Sequence, residues 1–329
     1  MKERGRVLVK VMNENSVIIL LILLVLFFCF TTSGFATVDN LFTLLRQTSI
    51  MGIVAFGMTI VIVAGGIDLT VGSSMSVITV FIMLLIKEWS FPPALACIVG
   101  ILIAVTIGFI NGIVITFTNM TPFICTLAFM QILQGTAYTL SGGLPIFGLS
   151  DNMRFIGQGY IFNLIPVPVI IMLVVFVLAC LLMMRTYIGR YFYAVGSNSE
   201  AARLSGLNIN RIKIFSYMIC GLFVGIASIV MMCRISSGQP NAGQGMEMDV
   251  ITACVVGGIS LAGGTGKMVT VILGVLVMGV ISNGLGIMGV STYNQYIAKG
   301  ILLLFVVGVD SYRNAHQRIR MADVTSAKE

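Results

Sequence analysis

Chemistry has few places to happen in this sequence. Asp68 is one of them, a carboxylate that ends a long uncharged run from Gln47 onward and stands between Gly65-Gly66 and Thr70. A carboxylate held in hydrocarbon is costly and by default marks a pathway or gate. The glycines before it and Thr70 after it permit another use, in which it accepts backbone N–H groups and caps the helix that follows. Asn111 and Asn283 raise the same choice. Both are amides well inside apolar runs, fit either to line a polar conduit or to hydrogen-bond between helices. Asp68, Asn111 and Asn283 are the candidate pathway residues.

Lys267 follows Gly263-Gly264-Thr265-Gly266 and invites a phosphate-loop reading. That motif needs glycine at 261 and Ser or Thr at 268, where Leu261 and Met268 stand, so ATP is not bound by this route. His316 is the sole histidine, and no HExxH or Ser-His-Asp arrangement inside a membrane is available. The seven cysteines lie in or beside apolar runs with no CxxC pair and read as small packing residues, neither disulfides nor metal ligands. The chain offers no catalytic residue and no metal set, and an intramembrane hydrolase is unsupported.

The remaining polar feature is the island Tyr193–Gly206. Its core runs Ser197, Asn198, Ser199, Glu200, Ala201, Ala202, Arg203, Leu204, Ser205 and Gly206. Ser197-x-x-Glu200 is a capping-box pattern, Glu200–Leu204 favours helix, and Gly206 supplies a C-terminal stop. The expected product is a helix of about two turns with Arg190, Arg203 and Arg211 around it. Such a helix either rests on lipid headgroups or plugs a groove on a soluble partner. With so little other polar surface in the chain, we read it as a docking element.

The elements that position these residues follow from composition. Of 329 residues 58% are hydrophobic and 9% charged, with mean hydropathy +1.05, against about a quarter charged in a soluble domain. The fold class is an all-α polytopic membrane protein of about ten transmembrane helices. The spans are placed at 16–35, 44–64, 70–86, 94–117, 122–141, 167–184, 214–235, 250–266, 268–289 and 293–310. Residues 1–15 form an N-tail, 16–310 the membrane domain with a polar loop at 185–213, and 311–329 a C-tail. The basic start followed by Val17–Phe30 resembles a signal peptide, but further spans follow at once, so it reads as an uncleaved first helix.

Fourteen of the 19 Lys and Arg fall in the two tails, the 185–213 loop and Lys267, which puts that side in the cytoplasm and requires an even number of spans. The net charge of +7 reflects this orientation and carries no nucleic-acid partner. The opposite side holds the long loop Gly142–Pro166, with aromatics that suit the lipid interface or a soluble delivery protein. A faint repeat is visible: Gly65-Gly66-Ile67-Asp68-Leu69 is echoed by Gly257-Gly258-Ile259-Ser260-Leu261, and Asn111-Gly112 by Asn283-Gly284. Paired glycine-interrupted segments point to a transport pathway. Small residues four apart, Ala104/Gly108/Gly112 and Gly221/Gly225, allow close helix contact.

As a set, these segments resemble the permease subunits of ATP-binding-cassette (ABC) importers, in the ribose or monosaccharide branch. The matching stretches are Ala64–Ser73, Phe109–Gly112, Thr121–Leu127, Gly189 through Gly206, Gly257–Gly264 and Gly289–Ser291, spread over residues 44–313. The resemblance implies a type II importer permease fold in a bacterial cytoplasmic membrane. It also implies a second permease copy, homo- or heterodimeric, a separate cytoplasmic ATPase that uses ATP and magnesium, and an extracytoplasmic sugar-binding protein. It makes the helix around Ser199–Ser205 a coupling helix seated in the ATPase, with no cofactor in this chain. The rival is an ion-coupled secondary transporter of a small polar solute, for which Asp68 and Lys299 are the intramembrane ionisable groups.

Overall fold

The structure, a computed structural model, describes residues 16–326 other than 163, with side chains described only as far as Ser311 and not at 16, 309 or 310. The basic residues Lys2, Arg4, Arg6, Lys10 and Lys328 lie outside the described residues, as do the side chains of Arg313, His316, Arg318 and Arg320. Thirteen helices run through the described chain, and four two-residue strands form two small antiparallel pairs.

Helix α1 spans Ser16–Thr31, α2 Val38–Val63, α3 Val71–Lys87, α4 Pro93–Thr118 and α5 Pro122–Ser141. The loop after α5 then carries β1 (Ile146–Phe147), α6 (Asp151–Gln158), β2 (Tyr160–Ile161) and β3 (Ile165–Pro166). Next come α7 (Val167–Arg185), α8 (Tyr187–Ser197), α9 (Ser199–Leu204) and α10 (Ile209–Ile235). The chain ends with β4 (Ser237–Gly238), α11 (Met246–Val256), α12 (Met268–Ile287) and α13 (Thr292–Ser326). Among the described residues six helices are long and apolar enough to cross a membrane, namely α2, α4, α5, α7, α10 and α12. Helices α1 and α3 are apolar but shorter.

Local sequence explains many of the ends. Pro93 and Pro122 open α4 and α5, where a missing N–H costs nothing. Thr37 caps α2 by accepting the Asn40 N–H at 3.3 Å. Helix α2 is the axis of the bundle, buried without interruption from Thr48 to Val63, and α7, α10, α11 and α12 pack around it. The small-residue stripes meet as their spacing predicts: a Cβ on Gly221 would strike the Ala104 carbonyl, and one on Gly112 would lie 2.8 Å from the Ile214 Cα. That lets α4 and α10 approach backbone to backbone.

One expected span differs. The run 250–266 is helical only to Val256, and 257–267 is an irregular turn into α12. The chain instead enters this layer as non-helical backbone, residues 237–245, which continues into α11. Its start is pinned by the β1–β4 pairing, Ile146 to Gly238 and Phe147 to Ser237. Hydropathy missed it because Gln239, Pro240, Asn241 and Gln244 read as a surface loop. The backbone is satisfied by its own turns and by side chains of neighbouring helices, and irregular chain is tolerated at membrane depth where it is packed in protein or lines a water-filled cavity.

Candidate functional site

Two breaks in the helical frame meet at one end of the bundle. The first follows Val63. Gly65 N–H bonds to the Ile62 carbonyl and Gly66 N–H to the Val61 carbonyl, both at 2.9 Å, with Gly65 at φ +83°, so α2 closes as a Schellman-type turn. Asp68 lies just beyond, 3% exposed. Its Oδ1 accepts the Thr70 N–H at 2.9 Å and the Thr70 hydroxyl at 2.5 Å. Asn111 Nδ2 donates to Thr70 Oγ1 at 2.9 Å, and the Tyr217 hydroxyl donates to the Ile67 carbonyl at 3.1 Å. Asp68 thus fixes the turn from which α3 starts, and Asn111 ties it to α4.

Asn283 lies elsewhere. It forms a reciprocal amide pair with Asn40, at 2.9 and 2.8 Å, joining α12 to α2. Of the three candidate pathway residues the structure brings Asp68 and Asn111 together and leaves Asn283 in a separate bonded group; all three are buried. Asn40 gave no sequence signal, because Thr37-Val38-Asp39-Asn40 reads as an ordinary helix start.

The second break repeats the first. Gly258 N–H bonds to the Val255 carbonyl at 2.9 Å and Ile259 N–H to the Cys254 carbonyl at 3.0 Å, with Gly258 at φ +87°. Ser260 stands two residues after its left-handed glycine, one residue nearer than Asp68 stands after Gly65, and accepts the Ala262 N–H at 3.3 Å. The two breaks touch directly: Gly264 N–H donates to the Val63 carbonyl at 2.9 Å, and a Cβ on Gly263 would lie 3.0 Å from the Gly65 Cα.

The polar island is seated on this junction. Thr186 caps α8 by accepting the Gly189 N–H at 3.2 Å. At the far end of α8 the Tyr193 hydroxyl donates to the Gly266 carbonyl at 2.9 Å, and Ser197 Oγ donates to the Gly264 carbonyl at 3.2 Å. Burial raises the Tyr193 phenol above its ordinary value. Gly196 has no room for a side chain, since a Cβ would strike the Val63 carbonyl.

The expected capping box is corrected here. Asn198, at φ −156° and ψ 98°, is the N-cap of α9, and its Oδ1 accepts the Ala201 N–H at 2.9 Å. Ser197 is still helical and its hydroxyl is drawn to Gly264, so it has no cap to make. Glu200 turns to Arg203 at 2.5 Å, an exposed pair that holds the Arg203 guanidinium above its usual value. Gly206 does end the helix, at φ +84°, with its N–H on the Arg203 carbonyl and the Leu207 N–H on the Ala202 carbonyl. Helix α9 is six residues long, close to the two turns expected. It turns Ala202 inward and leaves Leu204 80% exposed, an apolar side chain offered to solvent beside two charges.

A third region gathers polar groups around non-helical backbone. The 237–245 segment runs along α3, with Gly243 N–H donating to Ser76 Oγ at 3.2 Å and Thr79 Oγ1 donating to the Gln239 carbonyl at 3.4 Å. Gln134 Nε2 donates to the Pro240 carbonyl at 2.7 Å from α5. Just beyond, Asp249 and Lys299 pair at 2.6 Å, 17% and 16% exposed, tying α11 to α13.

Residues 40–307 match the model of a family described as the branched-chain amino acid transport system / permease component. The chain belongs to this family. This permease is 40% identical over 297 residues to the ribose import permease protein RbsC of Bacillus subtilis, covering 90% of the chain and 92% of that protein. It is 39% identical to RbsC of Escherichia coli K12 over 303 residues, covering 91% and 94%. It is 32% identical over 346 residues to the xylose transport system permease protein XylH of Haemophilus influenzae, covering 87% and 92%. No solved structure shows a significant match. The permease is accordingly a multi-pass membrane transport subunit and not itself an enzyme.

Proposed function

We propose that this permease is the membrane subunit of an ATP-binding-cassette importer that moves a ribose-like monosaccharide across the bacterial cytoplasmic membrane. The observation that carries the reading is the likeness to two ribose import permeases at about 40% identity over nine tenths of the chain. It works as one of two permease copies, with a cytoplasmic ATPase that uses ATP and magnesium and an extracytoplasmic sugar-binding protein. Ten passes fit: the six long helices, the shorter α1 and α3, the 237–256 entry with α11, and α13. Both termini and α8–α9 then face the cytoplasm.

In this reading residues 197–206 are the coupling element. Exposed Leu204, Glu200 and Arg203 meet a groove on the ATPase. Closure of the ATPase pulls α9, and α8 passes the movement through Tyr193, Gly196 and Ser197 to both helix breaks, because the 263–266 turn bonds to α8 and to Val63 alike. Asp68 and Asn111 serve the pathway by fixing where α3 begins. A ligand-driven change of state requires differential contacts with two states and no catalytic group in this chain. An ion-coupled mechanism is disfavoured: Lys299 is paired with Asp249, and Asp68 is held by Thr70.

Reconstitution of the complete importer tests the reading. Ribose uptake should require ATP and persist with an uncoupler present. Uptake that proceeds without the ATPase and collapses with an uncoupler would sink it.

A further inference from the structure

Polar surface in the middle of an apolar bundle is the least explained feature of this permease. Gln131, Asn241 and Gln244 are exposed, and Gln134 is half-buried. Gln131 and Gln134 sit one turn apart on α5, and the bond from Gln134 to Pro240 joins that face to the 237–245 segment. The depth of the segment is set by its partners, for Ser76 and Thr79 lie in the inner turns of the 17-residue α3, away from both ends. Tyr296 on α13 closes another side: its ring is 3.4 Å from where a Cβ on Gly245 would stand, and half of it is exposed.

Amides are expensive against hydrocarbon, so this surface faces water or polar solute. The nearby charges are already committed. Asp249 and Lys299 pair with one another, and Glu247 turns its carboxylate inward against Gly72. What is left is uncharged: amides that each offer donors and an acceptor, and a phenol ring with an apolar face. That combination suits a neutral polyhydroxylated ligand, whose hydroxyls need both bond directions and whose ring carbons need an apolar surface.

We propose that Gln131, Gln134, Asn241, Gln244 and Tyr296 form the sugar-contacting surface of the translocation pathway, midway across the membrane. The substrate class rests on the reading of this permease as a monosaccharide importer. The surface itself rests on burial and bonding.

Two measurements separate those footings. In membranes holding the complete importer, Asn241→Cys and Gln244→Cys should react with an impermeant, charged methanethiosulfonate at least tenfold faster than Ile98→Cys on the apolar outside of α4. Rates no faster than that control would overturn the surface, whatever the substrate. In proteoliposomes, Asn241→Ala and Gln244→Ala should lower ribose uptake at least tenfold and alter the ribose-to-xylose ratio. Uptake and ratio equal to the unsubstituted importer would overturn the contact with sugar. Fast labelling in an importer that moves a different neutral polyol would leave the surface standing and sink only the sugar assignment.

Discussion

Two stretches of irregular backbone lie inside this helical protein, and they combine the same stabilising means in different proportions. At the junction of Val63, Gly196 and Gly264 missing side chains dominate: glycines bring three backbones into contact, the Gly264 N–H meets the Val63 carbonyl, and the Tyr193 and Ser197 hydroxyls meet the Gly266 and Gly264 carbonyls. In the 237–245 segment polar side chains dominate: beside its own turns and the Gly243–Gly72 contact, three of its backbone groups are met by Ser76, Thr79 and Gln134. The first is sealed. The second keeps amides open on its outer side. The junction should therefore be sensitive to added atoms and the segment to removed polar ones.

The largest expected effect comes from adding atoms at the junction. Gly196→Val drives a branched side chain into the Val63 carbonyl and the 264 turn, and should cost about 3 kcal/mol or leave little folded protein. A thermal melt of the detergent-purified permease unchanged by this substitution would show the junction is loose. Next is removal at the segment. Ser76→Ala takes the acceptor from a buried Gly243 N–H and should cost about 2 kcal/mol, read in the same melt. Ser76→Thr, which keeps the hydroxyl, should lose less.

Smaller effects sharpen the contrast. Tyr193→Phe removes one half-buried hydrogen bond to Gly266 and should cost about 1 kcal/mol, while leaving the backbone contact at Gly264 in place. The Asn40–Asn283 pair lies away from both regions and serves as a reference. A double-mutant cycle with alanine should give a coupling energy of about 0.6 kcal/mol, the usual size for interhelical polar pairs. A coupling several times larger would mean that a simple interhelical contact is worth as much as either region.

What could be read from sequence follows the same division. Features written in residue type and spacing were legible: the proline helix starts at 93 and 122, the stop at Gly206, the Gly65-Gly66 break and its echo at Gly257-Gly258, and the α4–α10 stripe. Features decided by a distant partner were not. Ser197 and Asn198 are both competent caps, and only the Gly264 carbonyl, 67 positions away, shows why Asn198 has the role. The 237–245 entry was invisible because its polarity mimics a loop, while the hydroxyls that receive it lie about 160 positions earlier in α3. Asn40 and the pairing of Asp249 with Lys299 were missed for the same reason: each looks ordinary until its partner is placed beside it.

Coupling through α9 is the claim on which the mechanism turns, and one double substitution measures it most directly. Glu200→Ala with Leu204→Ala removes the exposed pair member and the 80%-exposed leucine while leaving Asn198, Ala202 and the α8 anchors untouched. In the reconstituted importer, with the permease at its normal level in the membrane, sugar moved per ATP hydrolysed should fall at least tenfold. Uptake at the unsubstituted ratio would contradict α9 as the coupling element.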